Sequence, residues 1–170
     1  HYICNKKNSK QVDLHRMLIN RVFQGLLLAV LFIAVSIQPV LSAEFVAIKS
    51  KKTILYEGPS DSTSKEFIVT ESYPLKVLVK LKDWTKVKDH EGKISWVKVQ
   101  DTSNERTVMT LKSNVIVFYK PSFSSVKLAD VGKYVALKLL SPIQADGWIE
   151  VKTLTQNIEG FIRVQDVWGI

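Results

Sequence analysis

Apolar and polar positions alternate along most of this chain with a period of two. Leu75, Val77, Val79 and Leu81 are interleaved with Lys76, Leu78, Lys80 and Lys82, the pattern of a strand with one face in a core. Val115 and Val117, then Val135, Leu137 and Leu139, repeat it further on. Turn residues punctuate the runs at Gly58-Pro59-Ser60-Asp61, Lys82-Asp83, His90-Glu91-Gly92, Pro121-Ser122, Ser141-Pro142 and Asp146-Gly147. Strands are predicted near 53–56, 66–69, 75–81, 84–88 and 94–98. No stretch after residue 43 carries a helical period, so the predicted fold class is all-β.

The pattern occurs twice. Tyr56 to Ser60 answers to Phe118 to Ser122, Trp84 to Lys88 answers to Trp148 to Lys152, and Ser95 to Asp101 answers to Gly160 to Asp166. From proline to tryptophan is 25 residues in one copy and 27 in the other; from tryptophan to glutamine, 16 and 17. Fixed anchors with small loop differences mark a duplicated module. The copies are expected at 45–101 and 106–170, joined by a polar linker at 102–105. Each is near the lower size limit for a core without disulfides or metal, and the single cysteine, Cys4, lies ahead of both. Packing of one copy on the other is a further source of stability.

The N-terminal part is different in kind. Arg16 and Arg21 precede an apolar run from Gly25 to Ile37, followed by Pro39 and the small residues Ser42 and Ala43. These are the parts of a secretory signal peptide, here residues 17–43. The competing assignment is an uncleaved inner-membrane anchor over 22–40, although the run is short against the roughly 20 apolar residues of a span. Residues 1–16 are polar and aperiodic, either a non-folding extension ahead of Met17 or a long positive flank containing Lys6, Lys7 and Lys10. Removing the five basic and one acidic side chains of residues 1–43 from the chain's 24 and 16 leaves 19 against 15, a net charge of +4. That mild charge suits an anionic envelope surface, whereas nucleic-acid binding calls for a dense basic patch. The lysines at 76, 80, 82, 86 and 88 are spaced as the solvated face of a sheet.

Gly58-Pro59-Ser60, Trp84 to Val87, and Gly92 to Val97 together resemble the bacterial SH3 domains of exported proteins. The resemblance covers both copies and implies two tandem SH3-like small barrels after the signal peptide. It departs from the family pattern at Ser95, in place of a second glycine, and at Lys120, in place of the turn glycine. The pattern resembles two-module envelope proteins of Gram-negative bacteria, and the resemblance implies a periplasmic or secreted setting.

Strand parity adds a candidate site. Thr85 and Val87 share one face, as do Ile149 and Val151. If that face is the core, Trp84 and Trp148 lie on the other. Eukaryotic SH3 domains, which the chain resembles here, hold a tryptophan in a groove for extended peptides. The candidate ligand residues are therefore Tyr56, Tyr73, Trp84 and Trp148; the alternative is that the tryptophans cover a barrel end or the interface between copies. Trp96 and Phe161, in the closing strands, are expected in the cores, so that Trp96→Ala would destabilise the first barrel more than Trp84→Ala.

Catalytic groups are few. After residue 43 there is one histidine, His90, flanked by Asp89 and Glu91 in a turn expected to be solvated, and no cysteine. No metal-ligand spacing and no phosphate loop is present, so neither catalytic residue, metal site nor cofactor is expected. Two functions remain open: a binding module for peptidoglycan stem peptide or an extended peptide, and an adaptor docked on a fixed envelope protein. Export carries its own prediction. Intact-mass measurement of periplasmic protein should show a start near residue 44; a mass retaining 17–43 would establish the anchor.

Overall fold

The computed structural model describes residues 43–141 and 146–170. The extension, the signal segment and the alternative anchor at 22–40 lie outside the described residues, as does Pro142. Residues Ala43–Ile170 form one compact unit. It is all-β and contains two separate seven-stranded antiparallel sheets, each bent over its own apolar core as a small SH3-like barrel.

The first sheet is built from β1 (Phe45–Ile48), β2 (Lys52–Tyr56), β3 (Lys65–Thr70), β4 (Pro74–Lys80), β5 (Trp84–Lys88), β6 (Ile94–Lys98) and β7 (Thr102–Ser103), in the order β3-β2-β6-β5-β4-β1-β7. The second repeats that order with β8 (Thr107–Thr110), β9 (Val115–Phe118), β10 (Lys127–Val131), β11 (Ala136–Ser141), β12 (Trp148–Thr153), β13 (Glu159–Arg163) and β14 (Val167–Trp168). A 3-10 turn with the same sequence, Val-Gln-Asp, precedes the last strand of each, at Val99–Asp101 and Val164–Asp166.

Alternation places most of the core as expected, but the inward face predicted for β4 ends at Val77: Val79 and Leu81 are exposed, beyond a register shift against β5 between Val77 and Val79, and Val135 is exposed in the second module. Leu55, Val87 and Val97 are buried in the first module, and Val117, Ile149, Val151 and Ile162 in the second. Two further strands differ from the sequence expectation. β1 lacks alternation because all four of its residues are buried: Val46 and Ile48 enter the first core, while the Phe45 ring meets Trp168 edge-on at 5.5 Å and lies under the Arg106 guanidinium. β7 occupies Thr102 and Ser103, which the sequence assigned to the linker; both pair with β1.

The two modules touch along β1, β4 and β8. Thr107 Oγ1 donates to Ser72 O at 2.8 Å, and Gly169 packs so closely on Thr107 and Pro74 that a Cβ there would lie 2.7 Å from Thr107 O. β8, like β1, is buried on both faces.

Trp96 and Phe161 are half-buried and outside the cores, contrary to expectation. Register is the reason. Thr85 opposes Val97 and Val87 opposes Ser95, so the core face of β6 belongs to Ser95 and Val97, and Trp96 points outward with Lys86. Gly160 and Ile162 exclude Phe161 in the same way, being opposite Val151 and Ile149. The Asp89-His90-Glu91 turn also differs. Asp89 is buried, its Oδ1 accepting from the N–H of Glu91 and of Lys93 at 2.9 and 2.8 Å.

The departure at Lys120 has a local explanation. Gly58 has no positive φ, but a Cβ there would sit 2.9 Å from the Thr63 methyl. Thr63 is replaced by Ser125 in the second copy, which keeps the hydroxyl bond to the turn (Lys120 N–H to Ser125 Oγ, 2.9 Å) without the methyl. Gly160 has no such freedom, because a Cβ would lie 2.5 Å from Phe118 O and 2.7 Å from Val117 Cγ1. Gly160→Ala should therefore destabilise the protein by about 1–3 kcal/mol in urea unfolding. Gly132→Ala, where a Cβ meets nothing within 4 Å, should be neutral or slightly stabilising.

Candidate functional site

The outer face of the β5–β6 hairpin carries the candidate site of the first module. Trp84 opposes Lys98 across the pair, and Lys86 opposes Trp96. Residues directly opposite share a face, so aromatic rings and ammonium groups alternate there. Lys98 Nζ lies 5.7 Å from the Trp84 ring centroid and Lys86 Nζ 5.8 Å from that of Trp96. Tyr56 follows the core residue Leu55 at the end of β2, so alternation puts its ring on the outer face against Trp84. The two rings meet edge-on at 5.3 Å.

Asp61 closes one side. It stands in the loop after Pro59 and forms an ion pair with Lys98 at 2.6 Å. Hydrogen bonding from the Lys98 ammonium, with help from the Tyr56 hydroxyl, holds the Asp61 carboxyl below its ordinary value, and the same bond holds Lys98 above its own. The pair is thus complete through neutrality. It is lost only as pH falls through the lowered Asp61 value or rises through the raised Lys98 value; Asp61 is exposed and Lys98 partly so, so salt screens it. Between Asp61, Lys82, Asp83, Trp84, Lys98 and Gln100 lies an open cleft of about 450 Å³.

The four candidate residues do not converge on one groove. Tyr56 and Trp84 meet in the first module. Tyr73 packs instead against the first core, with its hydroxyl 2.7 Å from His90 Nδ1, and lines a separate cleft of about 420 Å³ between the modules, facing Tyr134. Burial pushes its phenol up, with the charges of Asp89 and Glu91 adding. His90 is correspondingly half-buried between Tyr73 and Tyr134, not solvated.

Trp148 holds the place of Trp84 in the second module but is 3% exposed. Phe118 meets it edge-on at 5.6 Å, as Tyr56 meets Trp84, and the Arg163 guanidinium lies 5.1 Å from its ring centroid, in the position of Lys98. A third ring, Phe123, closes on it at 5.0 Å. Sequence reasoning passed over Asp61, Lys98, Phe123 and Arg163. The antiparallel register supplies the missing signal for the cations, since Lys98 and Arg163 each pair with the tryptophan that opens the preceding strand.

Residues 49–104 match the family of the bacterial SH3 domain. The matched span takes in β2 to β7 and ends before the second module. A search of the curated proteins finds no match. Among solved structures, the chain is similar to NlpC2 from Trichomonas vaginalis, at 12% identity over 75% of this chain and 48% of that one, with a TM-score of 0.34. NlpC1 from the same organism gives 12% identity over 76% and 47%, with a TM-score of 0.35. An NlpC/P60 family protein from Bacillus cereus ATCC 10987 gives 18% identity over 73% and 55%, with a TM-score of 0.32. This chain therefore spans about half the length of these structures.

The burial difference between the tryptophans predicts the order of stability losses. Trp148→Ala should cost about 3–5 kcal/mol, the range for a buried large aromatic, and more than either Trp84→Ala or Trp96→Ala. Urea unfolding of the three variants checks it. Equal losses for Trp96→Ala and Trp148→Ala would contradict the outward placement of Trp96.

Proposed function

We propose that the protein is a non-enzymatic, exported binding module of the bacterial cell envelope, and that the first module binds an extended peptide segment or peptidoglycan stem peptide through Trp84. One observation carries this: Trp84, backed edge-on by Tyr56, lines a cleft rimmed by paired charges, Asp61 and Lys98, in a segment matching the bacterial SH3 domain. Shallow clefts with an apolar floor and a few polar groups are suited to binding. The rim offers the paired Asp61 and Lys98 for hydrogen bonds to a ligand, and the tryptophan offers a face to an extended chain.

The adaptor alternative draws on a different observation. Trp148, Phe118, Phe123 and Arg163 are packed on one another, which is a structural use of the same positions. In this proposal the second module is the support and the first the binder. The mature protein should sediment with purified sacculi or bind immobilised envelope peptides. Trp84→Ala and Lys98→Ala should each weaken that binding about tenfold or more, and Trp148→Ala should act only through stability. Binding unchanged in Trp84→Ala would overturn the assignment of the cleft.

A further inference from the structure

The second module shows what the first module's cleft is shaped to receive. The turns after β2 and β9 are built alike. In the first, the N–H of Ser60 donates to Gly58 O and the N–H of Thr63 to Ser60 O; Ser60 Oγ pairs with Ser62 Oγ at 2.8 Å and accepts from the Ser62 N–H. In the second, the N–H of Ser122 donates to Lys120 O and that of Ser125 to Ser122 O; Ser122 Oγ pairs with Ser124 Oγ at 2.9 Å and accepts from the Ser124 N–H. The residue between the paired serines is Asp61 in one turn and Phe123 in the other.

The single exchange changes what stands over the tryptophan. Phe123 lays its ring against Trp148 at 5.0 Å, with the Arg163 guanidinium 5.8 Å from it. Asp61 carries no ring and reaches to Lys98 instead. Trp84 is left half-buried at the wall of an open cleft. The backing ring (Tyr56 or Phe118), the tryptophan and the cation (Lys98 or Arg163) correspond in both modules, while the third ring is present in one only. From this we infer that the Trp84 cleft takes an aromatic side chain from an incoming extended peptide, in the place that Phe123 fills over Trp148. The second module is then a site occupied by its own chain.

This inference rests on the proposed use of the Trp84 cleft and makes its ligand an aromatic-bearing peptide instead of a stem peptide of small and charged residues. Stacking and edge-on contact between rings supplies the selectivity, and Lys98 beside the ring adds a cation–π contact. Phe123 itself remains 71% exposed, so its contact is one-sided, as that of a ligand side chain in a shallow cleft would be.

The probe is the chain's own turn as a free peptide, residues 119–126, compared with the same peptide carrying serine in place of phenylalanine. Titrated against the mature two-module protein, the phenylalanine peptide should bind at least about tenfold tighter. Asp61→Phe should abolish that binding with its urea midpoint unchanged, because the same turn already accommodates Phe123. Phe123→Asp should open the second module and double the number of peptides bound per chain. Equal binding of the two peptides, or full binding by Asp61→Phe, would overturn the inference. Sacculi provide the second arm. Binding to sacculi that depends on Trp84, with no preference for the aromatic peptide, refutes the inference and keeps the proposed function; loss of Trp84-dependent binding to both probes refutes the proposed function itself.

Discussion

The outer face of each module depends on one cross-strand pair, tryptophan against cation: Trp84 with Lys98 and Trp148 with Arg163. Neither pair is free to move to the core side. A strand has a period of two, so once Thr85, Val87 and Val97 are committed to the first core, Trp84 and Lys98 have only the outer face left. Turning Trp84 into the core instead would require shifting the register by one and exposing Val87 and Val97. That exchange loses two fully buried valines, about 1.5–3 kcal/mol each. The core thus fixes the site, although none of the site's residues belong to it.

A module of this size has little surplus core with which to hold such an outer face. The structure adds to it by making β1 and β8 two-sided. Val46 and Ile48 fill the first core, while Phe45 reaches Trp168 and Arg106 of the other module. Thr107 donates its hydroxyl back to Ser72. The apolar content that a single module could not bury alone is buried by its neighbour. The candidate cleft at Trp84 lies on the β5–β6 hairpin, away from this seam, and is left open by it.

How legible this was in the sequence follows from the same physics. β2, β3, β5 and β6 were legible, because each shows alternation or a turn signal; β4 was legible only as far as Val77, since the register shift beyond it, which leaves Val79 and Leu81 exposed, has no mark in the alternating sequence. β1 was not. A strand buried on both sides reads as a plain apolar run, and Phe45 to Ile48 follows an already apolar leader. β7 was hidden for the opposite reason, since Thr102 and Ser103 are polar and pair through the backbone alone. Parity correctly separated Trp84 from Val87. Applied to β6 with its antiparallel partner, it also places Trp96 outside, whereas a ring in a closing strand was expected to fill the barrel. Tyr73 could not be placed by local pattern, because its partner His90 is 17 residues away and reaches it only through folding.

The divergence of the two copies turns on a position that the sequence repeat alone makes look unremarkable. Asp61 and Phe123 sit in turns of matching hydrogen bonding, so the backbone places no demand on which residue stands there. Side-chain chemistry alone separates the outcomes. Next to a lysine, a carboxylate forms a compact ion pair at the edge of the cleft and leaves the indole face unfilled. Next to an arginine, a phenyl ring gains from both the planar guanidinium and the indole and has no charge to hold it in water. The cation differs in step with the turn residue, lysine with aspartate and arginine with phenylalanine. In each copy the turn residue and the cation are in contact with one another, Asp61 with Lys98 and Phe123 with Arg163. The two copies thus carry the same tryptophan–cation pair on their outer faces, covered by a third ring in the second module and bordering an open cleft in the first.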